Sequence, residues 1–227
     1  MPDLYDPIQT QVTPPAAVEI LSDFITDLLA RTHLYAILYS NNVALTPQIT
    51  LQQLTEATFG GYARQTVSSF NGPYIDPNHA AYAQSPLLTF ACNGTASNTI
   101  YGSALVGTPP GATPATATNA GAAGGYSGSF TITGGGSGYQ FPPAVKLTGA
   151  GGSGAAAHSV ITGGVVTDII LDSPGTGYST YPVVIDPPLQ LIQINQLSTS
   201  GISMALSTDA LPTYVQLTQP ATNVANP

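Results

Sequence analysis

The chain has 227 residues, 43% hydrophobic and 6% charged, with three basic side chains against eleven acidic ones and a formal net charge of −8. That apolar share excludes a disordered chain, and the length is enough for a sizeable core. Three scattered cations (Arg31, Arg64 and Lys146) cannot neutralise a run of phosphates, which excludes nucleic acid as a partner and argues equally against an anionic membrane surface. A surface so poor in charge suits permanent assembly, because interface cores are depleted of charged residues.

Residues 1–13 are polar, carry Pro2 and Pro7, show no periodicity and read as an extended arm. Nothing there has the basic segment and apolar run of a secretory signal, and no apolar stretch in the chain reaches the roughly 20 residues of a membrane-spanning helix. A helix is expected over 14–31. Thr13 is a good N-cap residue, Pro14 fits the first helical position, and Arg31 sits at the negative end of the dipole. Ala17, Ile20, Leu21, Phe24, Ile25, Leu28 and Leu29 recur at helical spacing and form an apolar face wider than one docking surface needs. Ile20, Phe24 and Leu28 are therefore the candidate interface residues, on a helix that docks on a sheet or on a neighbouring subunit.

Strand-like runs follow at 34–39, 49–54 and 62–70, and 71–84 reads as a proline-punctuated loop. Leu87 to Cys92 and Thr99 to Val106 look like a strand pair joined at Asn93-Gly94. Asn93-Gly94-Thr95 also matches a glycosylation acceptor, but reads as a hairpin turn. Residues 107–123 hold almost only Gly, Ala, Thr and Pro and read as a linker.

A written-out repeat comes next. Gly124-Gly125 falls on Gly163-Gly164, Phe130-Thr131-Ile132 on Ile169-Ile170-Leu171, and Gly136-Ser137-Gly138-Tyr139 on Gly175-Thr176-Gly177-Tyr178. Pro143 and Val145 fall on Pro182 and Val184. A constant offset marks a duplicated supersecondary unit. Strands are expected again at 189–195, 202–206 and 214–218, and 220–227 reads as a second arm. The flanks, Ile100 to Val106 and Leu189 to Ile194, read as neighbouring strands whose connecting hairpin was expanded, since insertions are tolerated at loop tips. The expected fold is mainly β: a β-sandwich or barrel-like domain (14–107 plus 189–219) with one N-terminal helix and an inserted Gly-rich β repeat module at 108–188.

No residue set points to a reaction. His33, His79 and His158 have no nucleophile motif beside them. The Gly134–Tyr139 run lacks the helix that a phosphate-binding loop needs, because Phe141-Pro142-Pro143 follows. Asp168, Asp172 and Asp186 could gather on calcium but lack the close Asp-x-Asp spacing of known loops. Cys92, the single cysteine, can form no internal disulfide. The expectation is a protein that is not an enzyme and has no cofactor or metal. Aromatic side chains on a glycine-rich scaffold can stack on sugar rings, so Tyr126, Phe141 and Tyr181 are candidate ligand contacts. Tyr139 and Tyr178, placed alike in both copies, are expected to fill the module's core.

The run Leu54-Thr55-Glu56-Ala57-Thr58-Phe59-Gly60-Gly61-Tyr62-Ala63-Arg64-Gln65, then Phe90-Ala91-Cys92-Asn93-Gly94 and Ser97-Asn98-Thr99-Ile100-Tyr101-Gly102, resembles small structural proteins of tailed-phage virions. The Gly-x-Gly-Tyr…Pro-x-Val repeats resemble those of phage tail, fibre and adhesin proteins. The resemblance covers roughly 34–106 and 124–186, and the chain departs from it by placing the repeat inside the domain. It implies a virion component without reaction chemistry, and does not decide between head and tail. The expectation is a decoration or cementing protein on the outer surface of the head, a homo-oligomer, expected as a trimer, touching other virion proteins such as the major capsid protein. The alternatives are a tail, collar or fibre component, and an adhesin whose insert binds a host glycan.

Overall fold

The computed structural model describes residues 13–219; both expected arms lie outside them but for Thr13. The fold is mainly β with one N-terminal helix. Helix α1 spans Pro14–Leu29 and buries Ala17, Leu21, Ile25 and Leu28. It stops two residues short of the expected end. Thr13 is extended and makes no side-chain cap bond; Pro14 in the first turn fixes the start instead. Arg31, just past the helix, pairs with Asp27 at 2.9 Å.

The chain continues as β1 (Leu34–Tyr39), a 3-10 turn at Leu51–Gln53, β2 (Gln65–Thr66), β3 (Asn71–Ile75), β4 (Ala81–Gln84), β5 (Leu88–Ala91), β6 (Asn98–Ile100) and β7 (Gly102–Gly107). The insert supplies β8 (Thr116–Asn119), β9 (Phe130–Gly134), β10 (Val145–Leu147), β11 (Ser153–Thr162), β12 (Val165–Thr176) and β13 (Val183–Ile185). The chain then returns through β14 (Gln190–Gln196), β15 (Ile202–Met204), β16 (Ala210–Thr213) and β17 (Gln216–Gln219).

The main sheet runs β14-β7-β1-β2, all neighbours antiparallel. β7 and β14 pair from Gly107↔Gln190 to Gly102↔Gln196, so the strands that flank the insert are hydrogen-bonded neighbours. β6 and β15 pair in a separate two-stranded sheet just beyond the β7–β14 ladder, after a break at Tyr101 and residues 197–201. A second ribbon pairs β4 with β17 and β5 with β16, and β3 joins β4. The largest core lies between them. Leu34, Ala36 and Leu38 of β1 meet the buried face of α1, Ala81 and Ala83 of β4, Phe90, Met204, Val215 and Leu217. β1 and β7 are buried on both faces, because Ile37, Ala104, Val106 and Leu189 form a smaller cluster behind the sheet.

Several local expectations are not met, at β5 and β6 because long-range pairing overrides local signal. Residues 49–54 form the 3-10 turn rather than a strand, closed by reciprocal bonds of Thr50 and Gln53. Of 62–70, only Gln65–Thr66 pairs. The expected loop at 71–84 contains β3 and β4, turned by Asp76, whose carboxylate accepts the Asn78 and Ala80 amides. β5 and β6 do not pair with each other; each takes a partner more than a hundred residues on. The expected linker contains β8, which pairs with β9.

The insert is built from two like halves. β8–β9 and β11–β12 are hairpins that carry a bulge at matching places, Thr116/Ala117 and Ala156/Ala157. Each ends in a two-residue turn with both residues left-handed: Ala123 and Gly124 (φ 47° and 80°), and Gly163 and Gly164 (φ 59° and 80°). That geometry matches the twist of a hairpin and favours glycine. The sequence register of Gly124-Gly125 on Gly163-Gly164 is thus one residue off: Gly124 corresponds to Gly164, and Ala123 to Gly163.

The halves grip each other reciprocally. The Tyr139 amide donates to Gly164 O at 3.1 Å and the Tyr178 amide to Gly124 O at 2.7 Å. Val166 donates to Gly135 O at 2.8 Å and Tyr126 to Pro174 O at 2.9 Å. β10 and β13, equivalent strands, pair antiparallel with each other. The same patch meets itself, as in a two-fold dimer, here within one chain. Tyr139 and Tyr178 are both buried, as their matched positions suggest.

Candidate functional site

The insert is fastened to the main sheet by charge. Glu56 and Arg64 lie in the irregular run beside β1, and Asp186 immediately follows β13. Arg64 grips Glu56 with two parallel bonds, Nε to Oε1 at 2.8 Å and Nη2 to Oε2 at 2.7 Å. Its Nη2 also donates to Asp186 Oδ2 at 2.8 Å, and Lys146 Nζ reaches Asp186 Oδ1 at 2.9 Å. Tyr62 donates to Glu56 Oε1 and receives the Leu38 amide, which ties the cluster to β1. Forked pairing of this kind fixes geometry as well as charge. Burial, then the adjacent Glu56 carboxylate, pushes the Tyr62 phenol far above its ordinary range. Burial alone pulls the Arg64 guanidinium down, but the bonds and charges of Glu56 and Asp186 more than offset it and hold it charged. With Arg31 paired to Asp27, all three cations of the chain are held in ion pairs.

This joint floors a cleft of about 260 Å³. One wall is the back of the main sheet, with Ile37, Leu54, Val106 and Leu189; the other is the loop of Phe141, Pro142 and Pro143. Tyr139 stands at the edge. Its hydroxyl donates to Asp186 O at 3.2 Å and accepts the Ala115 amide at 2.8 Å. Neither Glu56 nor Arg64 stands out as a pattern in the sequence, and Asp186 does so only as a candidate calcium ligand with Asp168 and Asp172. The one signal that points to Arg64 is that it is one of three cations, and a rare charge in a charge-poor chain is held for a purpose.

A second concavity, about 420 Å³, lies between α1 and the edges of β14 and β17. Ile20, Leu21, Phe24, Ile192, Gln193, Leu217 and Thr218 line it, and none is charged. Of the three candidate interface residues, Ile20 and Phe24 are exposed at 45% and 41%. Leu28 is wholly buried in the chain's own core, which removes it from any exposed patch.

The three candidate ligand aromatics separate. Tyr126 is 2% exposed, edge-on to Tyr178 and Tyr181 at 5.1 and 5.4 Å, and its hydroxyl donates to Pro182 O. It is a core residue and cannot meet a ligand from solvent. Tyr181 is half-buried against Gly121, where any side chain would collide with its ring. Phe141 alone lines a cleft. Asp168, Asp172 and Asp186 do not converge: they bond the Ile169 amide, His158 and the joint respectively. Among the described residues no group of three or more His, Cys, Asp or Glu could hold a metal ion, and no helix is long and apolar enough to cross a membrane.

Together these features define a mainly β protein that carries a duplicated β module clamped over the back of its main sheet. Compared with known proteins, the chain matches no family model, no curated protein and no solved structure.

Proposed function

We propose that the chain is a non-enzymatic structural protein of a tailed-phage virion, a decoration protein that sits on the outside of the head as a homotrimer. The uncharged groove between α1, β14 and β17 carries this reading. Ile20 and Phe24 expose apolar surface there beside Ile192 and Leu217, and a neighbouring subunit could bury it without desolvating a charge. The resemblance of residues 34–106 and of the repeat supports the virion assignment. The ion-paired cations leave no basic patch that would favour nucleic acid.

Cryo-electron microscopy of whole particles tests it. The expected result is density of this fold on the head exterior in copies related by three-fold symmetry. Density at the tail or collar would favour that rival, and particles without the protein would end the virion reading. Phe24→Asp is expected to abolish assembly in sedimentation velocity while the fold survives, because an unpaired charge in a buried interface costs several kcal/mol.

A further inference from the structure

We infer that the cleft between the insert and the main sheet is a binding site for one neutral sugar ring at the end of a glycan. A pyranose has an apolar C–H face and a rim of hydroxyls that both donate and accept. The cleft offers a partner for each. Phe141, Pro142 and Pro143 line it with apolar surface, together with Ile37, Val106 and Leu189. The floor is polar. The three described hydrogen bonds of Arg64 use Nε and Nη2, which leaves the two N–H groups of Nη1 for the cleft. Glu56 and Asp186 beside it keep lone pairs that can accept from hydroxyls. The amides of Gln52 and Gln140 stand exposed at the rim.

Charge decides the ligand class. Glu56 and Asp186 balance Arg64 and Lys146, so the cluster carries no net charge and gives an anion or a cation no advantage. An apolar side chain from a partner protein would fill the walls but leave the polar floor desolvated and unpaired, which is costly. A neutral ring bearing hydroxyls satisfies both surfaces. The volume of about 260 Å³ has room for one ring and no more, so further sugars of a glycan would extend past the exposed glutamines into solvent. The site depends on the insert, because Phe141 and Asp186 come from it and Glu56 and Arg64 from the main domain.

The test is titration of the full-length protein, followed by backbone amide NMR, with the methyl pyranosides of glucose, galactose and mannose, with N-acetylglucosamine, and with glucuronate. A glycan array on the same protein widens the panel. At least one neutral sugar is expected to give saturable shifts centred on Arg64, Gln140, Phe141 and Asp186. Phe141→Ala should weaken that binding about tenfold. Ala144→Leu, which adds bulk at the cleft wall, should abolish it, and Gln140→Ala should weaken it; melting curves check that each variant folds. Leu87→Ser, at an exposed position before β5 that does not line the cleft, should leave binding unchanged. Shifts that bypass the cleft, binding that survives Ala144→Leu, response to glucuronate alone, or no response to any sugar would each overturn the proposal. A blank titration leaves particle density to decide the virion reading, and particles without the protein leave the titration untouched.

Discussion

Tyr139 shows how much one hydroxyl can hold. It accepts the Ala115 amide and donates to Asp186 O, so it joins the start of β8, the Gly-x-Gly-Tyr turn and the exit of the insert. Tyr139→Phe removes both bonds and strands a buried N–H. The expected loss is about 1–3 kcal/mol in chemical denaturation. Tyr178→Phe removes the equivalent bond to the Ala155 amide, which is longer at 3.3 Å, and should cost less. No loss in either variant would mean that the hydroxyls do not matter and the rings alone hold the module. Arg64→Met should cost about 2 kcal/mol, since it leaves Glu56 without a cation and Asp186 with Lys146 alone, less than for a fully buried pair because both carboxylates keep some water. If the Arg64→Met protein proves as stable as the parent, the clamp contributes nothing net.

Among the elements, the insert joins two strands that already pair. Gly107 and Gln190 face each other across β7 and β14, so a short Gly-Ser turn can replace residues 108–188 without moving either strand. The deletion variant should keep a strand-type circular dichroism spectrum and a cooperative melt, at a lowered midpoint because Arg64 loses Asp186 and the cluster behind the sheet loses its cover. Insoluble or non-cooperative product would show instead that the main domain needs the module to fold. The helix makes a different kind of link. Its inner face, Ala17, Leu21, Ile25 and Leu28, is sealed in the core, while Ile20 and Phe24 stay outside, so Phe24→Asp should alter assembly far more than melting.

For the whole molecule the alkaline limit is set by buried phenols. Burial raises the ionisation of Tyr39, Tyr126 and Tyr139 above its usual value, and does so most strongly for Tyr62. In the unfolded chain the same groups ionise near pH 10. Their contribution is therefore complete below about pH 10 and is lost as the pH rises above it, each deferred proton adding a slope of about 1.4 kcal/mol per pH unit. A titration of phenolate absorbance should show these tyrosines ionising together with loss of structure, in a step steeper than a single-site curve. Independent titration of all tyrosines with the fold intact would contradict the burial.

What the sequence determined by itself is what short-range physics controls. Helical spacing placed α1 to within two residues, and repeated Gly-x-Gly-Tyr text placed the duplicated module, because backbone geometry in a tight turn depends on the residues in the turn. Even there the register slipped by one, since Ala123 occupies a left-handed position that glycine spelling does not reveal. The tertiary structure decided the rest. β4 lies between its hairpin partner β3 and β17, which is distant in sequence, β8 closes a hairpin with β9 inside a stretch whose composition reads as a linker, and Leu28 left the candidate interface because the sheet closed over it. Tyr126 moved from candidate ligand contact to core, while Phe141 came to face Arg64 and Glu56 from across the chain. The Arg64–Asp186 pair spans 122 positions, and no local pattern encodes a contact whose two ends meet only after both the sheet and the repeat have folded.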